Sequence, residues 1–251
     1  MPSGFSFEVV EALDYDELRP RYAPEAVAWV VERGSLEEGS IVVDLAAGTG
    51  QLSGPFADVG AEVIAVEPAA NMAAVLHDRR PSVRIEPGIA EAIPLATGTA
   101  DVVVVGNAFH HFDRDRAFAE IRRVLRPGAL LALFWAWPLE DEQRSIPGME
   151  EIYEAADAAR CSNEIATAYR SWAEPPPDAE GFGPFERREF RVTHVIPSSR
   201  LADLYATSSD VASLPDQVRT DLLDRIRRLS FGLPDVLHLP ARSVVDLCLR
   251  R

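Results

Sequence analysis

The chain has 251 residues and carries 25 lysines plus arginines against 40 aspartates plus glutamates, a net charge of −15 at pH 7. No lysine occurs in the sequence, so enzymes that need a Schiff-base lysine or a Gly-Lys-Ser/Thr phosphate loop are excluded. The acidic balance argues against nucleic acid and anionic membranes as partners, because both are polyanions. The longest apolar run, 129–137, is far shorter than the roughly 20 residues of a membrane-spanning helix.

The two cysteines, Cys161 and Cys248, form no CxxC motif, so neither a disulfide framework nor structural zinc is expected. No Asp, Glu or Cys set at ligand spacing accompanies the histidine pair 110–111, and no metal is predicted. The N-terminus, MPSGFSFEVVEALDYDE, lacks the cationic start and apolar run of a secretory signal. These features predict a soluble protein in the reducing cytoplasm.

Short β-branched runs alternate with helical periodicity through the first half of the chain. This alternation indicates βαβ units and a doubly wound, mostly parallel α/β sheet that is covered on both faces. The predicted strands are 41–45, 62–66, 83–85, 101–105 and 129–135. The predicted helices are 24–34, 51–59, one around residues 72–76, and one that Asp113 or Asp115 caps before Pro127 and Gly128 end it.

The pattern breaks after Trp137. Residues 138–184 include prolines at 175–177 and weak helical runs, and we interpret them as an insertion that forms a helical lid. Residues 185–196 alternate as a long strand, 214–229 repeat at helical spacing, and 243–249 are typical of a last strand. We therefore predict one domain over residues 1–251, made of an N-terminal cap (1–37), a core (38–137), the lid (138–184) and a C-terminal sheet with helices (185–251).

The most informative stretch is DLAAGTGQL, residues 44–52, where a buried strand ends in Asp44 and a turn of small residues leads straight into a helix. Gly48 and Gly50 lack Cβ atoms, so a ligand can approach the backbone closely. Glu67 ends the next strand, where an acid in a doubly wound fold accepts hydrogen bonds from the hydroxyls of an adenosine ribose. A dinucleotide would need a third glycine where Ser53 stands, and Asp44 would repel its diphosphate.

Five ordered motifs resemble those of class I methyltransferases that use S-adenosylmethionine (SAM): DLAAGTGQL, AVEPAANM, GIAEAIPL, DVVVVGNAFHHF and RVLRPGALL. The segment YDELRPRY, residues 15–22, resembles the YxxxRPxY segment of the small-molecule subgroup often called type 11. The core resemblance covers residues 38–137 and implies a Rossmann-like sheet of seven strands with the last strand antiparallel. It also implies SAM as the cofactor, which has no phosphate and whose ammonium and sulfonium groups tolerate a nearby carboxylate.

The resemblance further implies a set of site residues. Glu67 is the ribose acid, and residues 15–22 lie over the methionine end of the cofactor. Ile89 stands where many relatives have an acid for the adenine amine, which leaves adenine to the backbone near Ala90. The expected SAM-binding residues are Tyr15, Arg19, Asp44, Ala46, Gly48, Gly50, Glu67, Pro68, Met72, Ala90, Glu91, Asn107 and Ala108. The expected acceptor-site residues are Tyr22, His111, Trp135 and Trp137.

The expected chemistry is an in-line displacement at the sulfonium methyl, in which the protein positions the acceptor and excludes water. Where the acceptor must lose a proton, His111 is the first candidate for the general base and His110 the second, since an imidazole titrates near neutral pH. The expected partner is a small-molecule acceptor, and the expected state is a monomer or homodimer. Two alternatives stay open: a SAM-binding protein of this fold without methyl transfer, and a nicotinamide-dependent oxidoreductase.

Overall fold

The structure, a computed structural model, describes residues 11–160 and 179–251 of the chain. Cys161, the prolines at 175–177 and part of the predicted lid lie outside the described residues, while Cys248 is buried with a free thiol. Within the two described ranges, no helix has the length and apolar character needed to cross a membrane.

Seven strands form one mixed sheet. They are β1 (Ile41–Leu45), β2 (Glu62–Val66), β3 (Arg84–Glu86), β4 (Ala100–Gly106), β5 (Leu125–Pro138), β6 (Glu186–Pro197) and β7 (Val236–Leu249). Their order is β3-β2-β1-β4-β5-β7-β6, in which β1 to β5 pair in parallel and β7 is antiparallel to both β5 and β6. This confirms the predicted sheet and its antiparallel last strand. The order reverses between β1 and β4, so the carboxyl ends of these two strands border a switch point where ligands bind in such folds.

Helices cover both faces of the sheet and one of its ends. They are α1 (Ala12–Leu18), α2 (Pro24–Gly34), α3 (Ser53–Asp58), α4 (Ala70–Arg79), α5 (Arg114–Val124), α6 (Glu140–Arg144), α7 (Met149–Arg160), α8 (Leu201–Ala206), α9 (Ser209–Ala212) and α10 (Asp216–Ser230). The bounds of α2 are those that Pro24 and Gly34 predict. At the start of α5, the Asp113 side chain accepts a hydrogen bond from the Arg116 amide, which confirms the first of the two predicted caps.

The sheet is buried on both faces, because the alternate residues of its central strands point to opposite sides. One face packs on α2 and α3 through Val42, Val104, Ala132 and Phe134, together with Val30 and Phe56. The other packs on α5 through Val43, Val103, Leu131 and Leu133, together with Ile121 and Val124. Burial of nearly every residue of β1 and β4 explains why their sequences are mostly apolar.

A third cluster lies at the end of the sheet where β5 finishes. Helices α6 to α10 form what we call the helical layer, whose buried residues include Ile152, Leu222 and Ile226. The layer packs on Leu237 and Leu239 of β7. Because β7 is antiparallel to β5, with Ala241 opposite Pro138, these residues lie just beyond the carboxyl end of β5. Of the predicted lid, residues 138–160 thus form the end of β5, α6 and α7, and its closure stays a prediction.

Two strand starts differ most from the predictions, and one helix is absent from them. Strand β5 begins at Leu125 instead of residue 129, and β7 begins at Val236 instead of residue 243. The added part of β7 pairs with β6 from Val236 to Ala241, a partnership between distant segments that local sequence does not show. Helix α1 is not predicted at all, because seven residues are too few for a periodic pattern. Its buried Asp16 pairs with Arg21 and Arg79, each at 3.4 Å.

Candidate functional site

The turn after β1 is built from residues with left-handed backbone conformations. Ala46, Gly48 and Gly50 have φ values of 56°, 57° and 85°. Glycine is required at Gly50 for a second reason, because an added Cβ would lie 2.2 Å from the Leu76 side chain. At Gly48 an added Cβ would meet nothing within 4 Å, so this part of the turn borders open space. The turn therefore exposes backbone at the carboxyl end of β1.

Asp44 lies behind this turn. Its carboxylate is buried and accepts a hydrogen bond from the Ser53 hydroxyl at 2.6 Å, and it also accepts from the Ser53 backbone amide. Burial raises the pKa of Asp44 to about 7, although the two hydrogen bonds from Ser53 oppose the rise. Because Ser53 begins α3, Asp44 caps that helix from within the protein.

Glu67, at the end of β2, connects three segments. One carboxylate oxygen accepts a hydrogen bond from the Gly48 amide at 2.8 Å, and the other accepts from the Ala69 amide at 2.8 Å. Burial raises the pKa of Glu67, against the effect of these two bonds. The carboxylate thus holds the turn after β1 and the start of α4 at fixed positions.

Asn107 shapes the end of β4. It has a φ of 49°, its backbone amide donates to the Phe134 carbonyl at 2.8 Å, and its Oδ1 accepts from the Ala136 amide at 2.9 Å. Its side chain also hydrogen-bonds Tyr22, which is buried. Asparagine tolerates the left-handed region better than most residues. Its side-chain oxygen accepts the hydrogen bond from the β5 amide of Ala136 in place of a backbone carbonyl. The residue therefore fixes the chain path between β4 and the single-turn helix at Phe109–His111.

A cavity of about 100 Å³, the first cavity, opens between these ends of β1, β2 and β4. The structure brings eleven of the predicted site residues together around it: Tyr15, Ala46, Gly48, Glu67, Pro68, Met72, Ala90, Glu91, Asn107, Ala108 and His111. It is also lined by Gly88, Ile89, Gly106 and Phe112, none of which was predicted as a site residue. In the structure, a Cβ at Gly88 would lie 2.7 Å from Pro94. Gly88 belongs to the GIAEAIPL motif, and that membership is the signal that sequence reasoning could have used.

The charges that line the first cavity are negative. Glu67 and Glu91 contribute carboxylates, and no arginine belongs to the described lining. The Glu91 side chain accepts from the Asp113 amide at 2.8 Å, which fixes it beside the start of α5. A diphosphate placed here would meet carboxylates without a cation to offset them. A ligand with positive charge and hydroxyl donors suits this lining better.

The two histidines are weaker bases than their type predicts. Burial lowers the pKa of His111 to about 4, and burial together with the neighbouring His111 and Arg19 lowers the pKa of His110 to about 3. Their ring centroids are 3.9 Å apart, and the His110 ring lies 5.8 Å from that of Trp135. In this environment burial thus moves both pKa values below the neutral range, and the role of either histidine as a general base stays a prediction. His111 borders the first cavity, whereas His110 packs behind it.

Several predicted site residues lie elsewhere. Tyr22 and Trp135 are buried in the clusters on either face of the sheet, and the Trp137 ring lies between the guanidinium groups of Arg187 and Arg242, at 5.9 and 5.6 Å. Asp44 and Gly50 support the turn from behind. Burial and pairing of this kind depend on distant segments, so the local motif does not reveal them.

Arg19 lines a second cavity of about 130 Å³ between α1, the helical layer and the end of β5. The same cavity is bordered by Ala136, whose amide holds the side chain of Asn107 in the first cavity. The two cavities are therefore neighbours at the carboxyl end of the sheet. Within the described residues, no group of three or more His, Cys, Asp or Glu side chains is placed to hold a metal ion.

Comparison with known proteins agrees with this geometry. A family described as a methyltransferase domain matches residues 43–133. An uncharacterized methyltransferase of Mycobacterium tuberculosis is 34% identical over 238 residues, which cover 94% of this chain and 91% of that protein. A demethylmenaquinone methyltransferase of Renibacterium salmoninarum is 35% identical over 105 residues, 41% of this chain and 44% of that one.

Among solved structures, one from Anaeromyxobacter dehalogenans, assigned as a type II methyltransferase, aligns with a TM-score of 0.60 and 25% identity. The alignment covers 93% of this chain and 97% of the other. The identity with the mycobacterial protein extends over nearly the whole of both chains, and the matched family spans the strands that surround the first cavity. The chain belongs to the class I methyltransferase family, and it is a methyltransferase.

Proposed function

We propose that the protein transfers the methyl group of SAM to a small-molecule acceptor, with the first cavity as the SAM site. The observation that carries this proposal is the lining of that cavity. A buried carboxylate at the end of β2 lies beside an open glycine turn, and no described lining residue carries a positive charge. This combination suits an adenosine with a cationic tail and disfavours a dinucleotide.

The lining offers a partner for each part of SAM. Glu67 is placed to accept from the ribose hydroxyls, since each of its oxygens has a further lone pair beside the bond it accepts from the backbone. Ile89, Ala90 and Glu91 border the part of the cavity next to β3 and would hold the adenine. Tyr15 and the turn at Gly48 would hold the amino-acid end.

When bound, SAM supplies a methyl group on a sulfonium, which an acceptor can attack in line without further activation. The protein then has to hold the acceptor's attacking atom in place and keep water out. Asn107, Ala108 and His111 line the first cavity on its β4 side, next to the second cavity, and would form the boundary where donor and acceptor meet. Because burial lowers the pKa of His111 to about 4, its side chain is neutral at pH 7 and is a weak proton acceptor, so we assign it to the wall of the cavity.

We further propose that the acceptor is a small molecule and that the protein works in the cytoplasm as a monomer or homodimer. The net charge of −15 disfavours nucleic acid as the acceptor. A small-molecule acceptor is also consistent with the name of one partial relative, a demethylmenaquinone methyltransferase. The second cavity, which adjoins the first, has a volume of about 130 Å³, and this size also favours a small acceptor.

The proposal is tested by incubating the protein with SAM and a panel of small hydroxy, amino, thiol and carboxylic compounds. We expect S-adenosylhomocysteine to form in proportion to one methylated product. The Glu67→Ala variant, assayed at the same SAM concentration, should lose most of this turnover. Tight SAM binding with no turnover on any acceptor class would instead favour a binding protein without methyl transfer.

A further inference from the structure

The second cavity contains one guanidinium, that of Arg19, which forms no salt bridge with a described residue and acts only at longer range on the carboxylate of Asp210. Among the described residues, the charged side chains that line it are Arg19, Arg160 and Glu140. Arg160 is paired with Asp210 at 2.6 Å and with Asp157 at 3.6 Å. Glu140 is exposed to solvent. Arg19 has neither an acidic partner nor a side-chain hydrogen bond among the described residues, and its Nε atom is buried.

Most of the other polar groups among the described lining residues are already engaged, whereas the buried Nε2 atom of His194 has no hydrogen-bond partner. The Tyr153 hydroxyl donates to Gln143, and Gln143 donates to the Pro240 carbonyl, each at 2.6 Å. The Ser208 hydroxyl donates to the Tyr205 carbonyl at 2.7 Å. His194 hydrogen-bonds the backbone of Leu18, and burial lowers its pKa, so the ring adds no charge at neutral pH. Arg19 is left as the charged donor that faces the cavity without an acceptor from the described protein.

Arg19 also lies at the boundary between the two cavities. Its guanidinium carbon is 5.7 Å from the centre of the Tyr15 ring, and Tyr15 lines the first cavity. Its charge helps to lower the pKa of His110 on one side and of His194 on the other, which places it near both rings. A group held by Arg19 would therefore lie in the second cavity, next to the proposed SAM site.

We propose that the second cavity is the acceptor site and that it takes a small carboxylic acid, whose carboxylate binds the Arg19 guanidinium. This inference rests on the proposed function, because it needs a methyl donor in the first cavity. A guanidinium matches a carboxylate with two parallel N–H···O bonds. One cation without a salt bridge, in a lining that also includes Glu140, suits a monoanion better than a doubly charged phosphate.

The cavity also limits the size of the acid. Its volume of about 130 Å³ is close to the roughly 150 Å³ of a protein cavity that accommodates benzene. Apolar side chains, among them Met149, Leu204 and Leu239, line it together with the polar groups. Benzoate, which adds a carboxylate to a ring of that size, serves as the probe with its carboxylate toward Arg19 at the boundary between the cavities, and benzamide is its uncharged counterpart of the same shape.

The test is a calorimetric titration of benzoate and of benzamide into the protein, with and without S-adenosylhomocysteine. We expect benzoate to bind at least about tenfold more tightly than benzamide, because only benzoate forms the charge-assisted pair. Arg19→Gln should remove this preference. Arg21→Gln is the matched control: it removes one charge two residues away, from a side chain that pairs with Asp16 outside the cavity, and should keep the preference.

Five results would overturn the proposal, four of them from binding to single variants or ligands. Those four are equal binding of benzoate and benzamide, loss of the preference in Arg21→Gln as well, absence of benzoate binding at millimolar concentration, and tighter binding of inorganic phosphate that Arg19→Gln abolishes. If Arg19→Gln weakened S-adenosylhomocysteine and benzoate by the same factor, Arg19 would be a cofactor ligand and the proposal would also fail. Melting curves identify misfolded variants, and Arg19→Lys, which keeps the charge, should retain part of the preference.

Failure of the proposed function is distinguishable from these results. A protein that binds no S-adenosylhomocysteine, yet still prefers benzoate through Arg19, would contradict the methyl-donor site and leave the carboxylate site intact. A protein that binds S-adenosylhomocysteine and shows no preference for benzoate would contradict the carboxylate site and leave the methyl-donor site intact.

Discussion

The Glu67 carboxylate accepts a hydrogen bond from the Gly48 amide at 2.8 Å, which joins the end of β2 to the turn after β1. Its other oxygen accepts from the Ala69 amide at the start of α4. One side chain thus shapes the first cavity and borders it at the same time. A change at Glu67 should therefore affect both ligand binding and stability.

For Glu67→Ala we expect SAM affinity to fall by at least about tenfold, since bonds from ribose hydroxyls to a carboxylate are each worth on the order of 1.5–3 kcal/mol. The structure adds that the variant should also lose about 1–3 kcal/mol of folding stability, because two backbone amides lose their acceptor. Calorimetric titration and urea unfolding measure the two effects. Unchanged affinity in a folded variant would show that Glu67 does not bind the ribose.

Gly106 and Tyr22 should be energetically coupled. A Cβ added at Gly106 would lie 2.6 Å from the Tyr22 hydroxyl oxygen, so Gly106→Ala should destabilise the protein by about 1–3 kcal/mol through overpacking. Tyr22→Phe removes that oxygen and should recover part of the loss in the double variant. A double-mutant cycle of unfolding free energies measures the coupling, and strict additivity would contradict the contact.

The buried Asp44 predicts a defined pH dependence of stability. Its folded pKa of about 7 lies above the ordinary value near 4, so the folded state holds a proton that the unfolded state has lost. Asp44 therefore favours folding less and less as pH rises from about 4 to about 7. The difference in unfolding free energy between Asp44→Asn and the wild type should therefore grow by about 2 kcal/mol in favour of the variant from pH 5 to pH 8.

Denaturant unfolding of Asp44→Asn and the wild type at both pH values checks this prediction. Asp58→Asn is a suitable control, because Asp58 is an exposed carboxylate paired with Arg80. A pH-independent difference between Asp44→Asn and the wild type would contradict a protonated Asp44 in the folded protein.

His111 should prove to be a wall residue. With a pKa of about 4 it is a weak base, and an acceptor whose attacking atom is itself a carboxylate oxygen needs no deprotonation at neutral pH. We therefore expect His111→Gln to keep kcat within about tenfold of the wild type, and we expect no fall in the wild-type rate near pH 6.5. A loss of 10²–10⁴-fold, typical of a missing general base, would contradict this assignment.

The sequence predicts the central part of the fold well, for identifiable reasons. Strands β1, β2 and β4 are buried on both faces, so each is a short β-branched run bounded by turn residues. Parallel strands also place their carboxyl ends at one edge, which is why motifs far apart in sequence meet around the first cavity. Glu67 and Gly48 could be assigned from these rules together with the family resemblance.

The remaining features depend on contacts that local sequence does not show. Asp44 lies near the end of β1 as expected, but its side chain bonds Ser53 and does not line the first cavity. The low pKa values of His110 and His111 arise from burial, which a motif does not reveal. The helical layer depends on the pairing of β7 with β5 and β6, so the second cavity and the place of Arg19 in it became visible only in the fold.

The account depends most on the first cavity as a SAM site. Calorimetric titration of the purified protein with SAM, S-adenosylhomocysteine and NAD tests this directly. We predict saturable binding of SAM and S-adenosylhomocysteine at one site per chain, weakened at least about tenfold in Glu67→Ala, and no binding of NAD. Absence of a SAM signal, or tighter binding of NAD, would contradict the account.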